Sequence, residues 1–247
     1  MIAGLIVSAG LIRYPQVDEQ RAKTRGRAIA VAICCAIAGP LAVSGPVVAA
    51  PAATTPAPTI AKDELLGLLR AVPGVRARYR EEQHLALLAA PLVAEGTMYF
   101  APPGRLAKHQ TKPATARMVV DAGRLAFADA YGRDELELAK NPVVALFVDS
   151  VLQVLGGDGD AIDRAWIVAF AGGTGGDPRA WSLELRPREA PASNIVHRLS
   201  IRGKDAAVTR IEVVEKGGDR TVTTLSEIDT AHRWEAAELA SVFSIGS

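Results

Sequence analysis

From Val75 onward the chain keeps returning to a period of two, and that rhythm limits what it can fold into more than any other feature. Val75, Ala77 and Tyr79 interleave with Arg76, Arg78 and Arg80, the pattern of a strand with one buried and one wet face. Val93–Ala101 follows, bounded by Pro91 and by Pro102-Pro103, and then Arg105–Thr111, Ala116–Asp121 and Arg124–Ala130, each set off by turn residues. After a break come Trp166–Phe170, Ala180–Pro187 and Val196–Arg202. In the second of these Trp181, Leu183 and Leu185 alternate with Ser182, Glu184 and Arg186. Val208–Glu215 and Arg220–Ile228 flank Lys216-Gly217-Gly218-Asp219 as a hairpin. About ten successive strands without strand–helix alternation exclude a doubly wound parallel fold. They predict a mainly β, α+β domain: one strongly curved antiparallel sheet with helices on its concave side.

Two stretches carry the helical period instead. Thr59 is placed to cap a helix over Ile60–Ala71, with Leu65, Leu66, Leu68, Leu69 and Val72 making a wide apolar face and Pro73-Gly74 ending it. Asn141-Pro142 reads as a cap and first turn, and Gly156-Gly157 as a stop. Between them Val144, Phe147, Val151 and Val154 share a face, flanked by Val143, Leu146 and Leu155. A helix apolar over more than half its circumference needs cover on two sides.

The first fifty residues look different from this globule. Arg21, Lys23, Arg25 and Arg27 precede the apolar run Ala28–Ala38; Gly39-Pro40 interrupts it, and small residues lead to Val48-Ala49-Ala50. This is the layout of a cleavable export signal over residues 1–50, with cleavage expected after Ala50. A membrane anchor needs about 20 uninterrupted apolar residues, which Gly39-Pro40 deny it. Ile33, not a small residue, precedes Cys34, so a lipidation signal is not expected. Pro51–Pro58 reads as a flexible lead-in to a folded domain over 59–247. Cleavage removes five basic residues (Arg13, Arg21, Lys23, Arg25, Arg27) and the acidic Asp18 and Glu19 from totals of 28 and 27. The remaining net charge, about −2, speaks against a nucleic-acid partner.

Chemistry has little foothold. His84, His109, His197 and His232 show no ligand spacing and are expected at solvent-facing or edge positions, with no metal and no cofactor. No G-x-S-x-G elbow is present. Gly172–Gly176 lacks the Lys-Ser/Thr of a phosphate loop and reads as a loop between strands. The neighbouring acids Glu81-Glu82 and Asp134-Glu135 point to opposite faces of a strand and cannot act as a catalytic pair. No catalytic residue is assigned.

Three ordered segments carry a resemblance. Val75-x-Ala77-x-Tyr79-x-Glu81 is similar to an aromatic-x-Ala-x-Phe-x-Gln opening strand. Gly96-Thr97-Met98-Tyr99-Phe100-Ala101-Pro102-Pro103-Gly104-Arg105-Leu106 is similar to Gly-x-Leu-Trp-Val-x-x-Pro-x-x-Phe. Pro113, Asp121, Gly123 and Leu125 are similar to Pro…Val-x-Asp-Gly-x-x-Leu, and Leu239–Phe243 resembles a closing segment. Together, over about residues 60–245, they resemble the LolA family of periplasmic lipoprotein carriers, in its more divergent branch.

That resemblance implies an incomplete antiparallel barrel, lidded by helices, around an apolar cavity. It implies a non-enzymatic, monomeric carrier that takes acylated lipoprotein or lipid cargo from an inner-membrane transporter to an outer-membrane acceptor. A lipid-sensing regulatory module and a tethered outer-membrane acceptor share the architecture and stand as alternatives. The implied cavity wall comprises Tyr79, Met98, Phe100, Met118, Val120, Phe127, Trp181, Leu183 and Leu185. The implied lid comprises Leu65, Leu69, Val144, Phe147 and Val151. Pro102 stands where the family's carriers have a basic lid-latching residue, and Ala122 splits the Asp-Gly of the third segment.

Overall fold

Alternation of this kind pays off only if every strand finds neighbours, and in the computed structural model, which describes residues 58–245, eleven strands join one antiparallel sheet. They are β1 (Val75–His84), β2 (Leu92–Ala101), β3 (Arg105–Lys112), β4 (Ala116–Asp121), β5 (Arg124–Asp129) and β6 (Gly132–Glu137). After the helical break come β7 (Trp166–Gly172), β8 (Ala180–Pro187), β9 (Val196–Lys204), β10 (Ala207–Glu215) and β11 (Arg220–Asp229). The order across the sheet is β6-β5-β4-β3-β2-β1-β11-β10-β9-β8-β7, and β6 and β7 remain unpaired edges, so the barrel is incomplete. The export signal, its cleavage point after Ala50 and the lead-in up to residue 57 lie outside the described residues.

Helix α1 (Lys62–Arg70) precedes the sheet; α2 (Pro142–Leu155) and α3 (Gly159–Ala165) connect β6 to β7; the short α4 (Ala192–Ile195) precedes β9, and α5 (Ala236–Val242) follows β11. Helix α1 starts later than Thr59 predicts. The Ile60 amide donates to the Pro178 carbonyl at 2.9 Å, which holds the chain extended until Ala61.

The sheet curls tightly. Met118 on β4 and Leu199 on β9 line one cavity, although six strand spacings separate them in the order; in a flat sheet that is about 29 Å. One face of the curl, together with α1 and α2, forms the main apolar core. The other face is not bare. Over β2–β5 it is covered by the C-terminal segment, where Val242, Phe243 and Ile245 pack on Ala101, Ala107 and Val119. Helices are therefore found on both faces, not on the concave side alone, because the outward positions of β2–β4 carry small apolar residues that need cover.

The residue that splits the third family segment has a local cause. Asp121 pairs with Arg124, leaving Ala122 and Gly123 as a two-residue hairpin loop, and both have positive φ, 48° and 74°. That is a type I′ turn, whose twist matches the flanking strands and in which glycine is strain-free.

Candidate functional site

The concave face is built by the period-two positions that point inward. Tyr79, Phe100, Met118, Val120, Trp181, Leu183 and Leu185 are buried in the concave core, and Met98 and Phe127 are half-buried against it. Leu65 and Leu69 of α1 and Val144 and Phe147 of α2 are buried in the same cluster, with Val151 packed against it. All of these side chains thus converge on one face. They do not all border empty space.

A cavity of about 60 Å³ lies between α2 and the sheet. Its walls are Met98, Leu106 and Met118 from β2–β4, and Leu199, Ile211 and Val213 from β9 and β10; its roof is Phe147, Val148 and Val151 of α2. Of the residues singled out from sequence, Met98, Met118, Phe147 and Val151 border it, while the others fill the surrounding core. Trp181 shows why. It is fully buried, its indole donates to the Asp205 carbonyl at 2.8 Å, and its ring leaves no room for a Cβ at Gly203, so it anchors β8 to the β9–β10 turn.

The volume bounds what this space holds as it stands. The space has room for only a few waters, and it is smaller than the apolar hole of ~150 Å³ that admits benzene. An acyl chain exceeds this space as it stands. The methionines in the wall are unbranched and adaptable, which suits a space that changes shape.

The roof rests on the sheet through apolar side chains. Among the described residues, the side-chain hydrogen bond within α2 is that of Ser150, which donates to the Leu146 carbonyl of its own helix. Contact of α2 with the strands is apolar. Pro142 fills the first helical turn as predicted, but Asn141 does not cap it; its side-chain amide donates to the Glu137 carbonyl at 3.0 Å.

At the far end, the Asp158 amide donates to the Gln153 carbonyl and the Gly157 amide to that of Val154. This is a Schellman stop, and it uses the left-handed Gly157 at φ 68°. Gly157 also lets α1 approach: a Cβ there falls 2.3 Å from the Leu66 carbonyl oxygen. The Arg70 guanidinium donates to the Gly157 carbonyl at 2.9 Å. Lys62 of α1 pairs with Asp163 of α3 at 2.8 Å. The directional tie at this end of α2 comes from Arg70.

A second, open groove of about 390 Å³ runs along this seam between α1, the Pro102–Gly104 turn and α2. Asp149, on its rim, has its carboxyl held above the ordinary range by partial burial.

One part of the site escaped sequence reasoning. Glu81, 1% exposed, and Lys108, 6% exposed, meet at 2.8 Å at the cavity margin. Thr223 donates to the same carboxylate at 2.9 Å, Gln83 donates at 3.3 Å to its other oxygen, and the Lys108 ammonium lies 4.7 Å from the centre of the Tyr79 ring. Burial, with help from the Glu81 charge, pushes the Tyr79 phenol well above its usual range. The signal was present: Glu81 shares the strand parity of Ala77 and Tyr79, and Lys108 that of Leu106.

The histidines divide. His197 is exposed, while His84, His109 and His232 are partly buried, and the last two pin the C-terminal segment. Among the described residues no group of three or more His, Cys, Asp or Glu side chains is arranged to hold a metal.

The family profile described as outer membrane lipoprotein carrier protein LolA-like matches residues 53–243. Among solved structures, a LolA superfamily protein from Nitrosomonas europaea is similar at 10% identity and TM-score 0.38, over 73% of this chain and 97% of that one. A putative outer membrane lipoprotein-sorting protein domain from Vibrio parahaemolyticus is similar at 7% identity and TM-score 0.41, over 72% and 94%. MucB is similar at 10% identity and TM-score 0.43, over 72% of this chain and 62% of its own. No match was found among curated proteins. With the profile spanning most of its length, the chain belongs to the LolA-like family of outer membrane lipoprotein carrier proteins.

Proposed function

We propose that the protein is a periplasmic carrier that shields the acyl chains of lipoproteins or related lipids between an inner-membrane donor and an outer-membrane acceptor. The observation that carries this reading is the largely apolar cavity roofed by a helix whose lining side chains, Phe147, Val148 and Val151, are all apolar. Each methylene buried is worth ~0.8 kcal/mol, so an acylated protein cannot cross water unshielded. A carrier must nevertheless give up its load. A roof that meets the cavity through apolar side chains can exchange them for those of the cargo at small net cost, in either direction.

In this reading the protein acts as an unlipidated monomer, with no catalytic step and no nucleic-acid partner. Depletion from cells is expected to leave acylated cargo at the inner membrane. Normal distribution of every lipoprotein and lipid after depletion contradicts the reading. Extraction of the purified protein with organic solvent, followed by mass spectrometry, identifies the cargo class directly.

A further inference from the structure

The concave face changes character along its strands. Opposite positions of β1 and β11 run from Tyr79 with Leu225, through Glu81 with Thr223, to Gln83 with Thr221. The apolar pair gives way to two polar ones, and Lys108 on β3 joins them at 2.8 Å from Glu81. Glu81, Lys108 and Thr223 all border the cavity whose remaining lining is hydrocarbon and thioether.

A pocket meant only for hydrocarbon gains nothing from this arrangement. Taking two charges out of water is costly, and an apolar pair of the same volume serves stability as well or better. An ester or hydroxyl carried into hydrocarbon, by contrast, costs free energy unless it finds a hydrogen-bonding partner. The pair neutralises itself, so a further full charge meets a like charge as closely as an opposite one. An uncharged polar group can share the existing network without that conflict.

We propose that this polar end of the cavity is a binding site for the uncharged polar group, acyl ester or hydroxyl, of a lipid whose chains occupy the apolar end. The proposal rests on the cavity being the cargo site. It makes Lys108, Glu81 and Thr223 specificity-determining residues: they select a lipid that brings an ester or hydroxyl inside over one that presents hydrocarbon alone.

The test compares methyl laurate with n-dodecane as probes, bound to the wild-type protein and to the double variant Glu81→Leu/Lys108→Met. Removing both charges together avoids leaving one buried and unpaired. The ester-to-alkane affinity ratio is expected to fall about tenfold in the double variant, ~1.4 kcal/mol, with dodecane binding retained. Thr223→Val, which removes one hydroxyl and keeps the shape, is expected to lower the ratio by a smaller factor and serves if the double variant does not fold. An unchanged ratio, with both probes still bound, overturns the proposal. Failure of the wild-type protein to bind either probe overturns the carrier reading, and this one with it.

Discussion

The two faces of the sheet are covered by segments of similar size that are fastened differently. On the convex face the C-terminal segment is pinned by directional bonds. The Trp234 indole donates to the Phe100 carbonyl at 3.2 Å, and His109 Nε2 donates to the Val242 carbonyl at 3.0 Å. Trp234 also packs edge-on to His232 and Phe243, with ring centres 4.4 and 5.2 Å apart. On the concave face α2 rests on the strands by apolar contact, and the polar bonds lie in the floor instead. Hydrogen bonds penalise small displacements, whereas apolar contact can be re-made with a different partner. The convex cover is therefore read as a fixed strap and the concave cover as an exchangeable roof.

The largest expected effect breaks the floor. Lys108→Met alone leaves Glu81 buried without its cation and is expected to cost about 3–5 kcal/mol. Most of that loss should return in Glu81→Leu/Lys108→Met, as read by urea midpoints. Equal stability of the single and double variants would mean that Glu81 left without Lys108 carries no penalty.

Next comes the strap. Phe243→Ala removes a buried ring and is expected to cost ~3 kcal/mol, while affinity for an acyl probe per folded molecule stays unchanged. A parallel loss of affinity would show that the two faces are not independent. Arg70→Ala, which removes the tie to the Gly157 carbonyl, is expected to cost ~1 kcal/mol and to speed hydrogen exchange at the end of α2. No change in that exchange would discount Arg70 as a latch.

The smallest effect is one of pH. Burial, and secondarily the Arg117 charge, lowers the His109 pKa from 6.5, against the opposing effect of its bond to Val242. The unfolded chain therefore takes up this proton first. Stability is lost as pH falls below about 6.5, until the folded imidazole also protonates. His109→Gln is expected to flatten that slope in thermal melts at pH 5 to 7.5, and an unaltered slope would assign it to another group.

Parity made most of the sheet legible. The sets that share a face with Tyr79, Met118 and Trp181 follow from the period of two, but which face is concave does not, and on β4 both faces carry buried apolar residues. What failed to show had physical reasons. Strand β6 is exposed along nearly its whole length, so Gly132–Glu137 has no apolar alternation to display. Helix α3 is seven residues long and is marked mainly by Asp158, which accepts from the Ala161 amide at 3.0 Å. The path of Trp234 and Phe243 to the convex face depends on a long-range contact that no local period encodes. The cavity was legible as a face, not as a volume: Tyr79 and Met98 share the inward set, yet only Met98 borders the space.

The exchangeable roof is the central claim, and amide hydrogen exchange with and without a diacylglyceryl-modified peptide tests it most directly. Binding is expected to change exchange across Val144–Leu155 of α2 and to leave the Ala236–Val242 helix of the strap as it was. Binding that leaves α2 unaltered, or that alters both covers alike, would contradict the account.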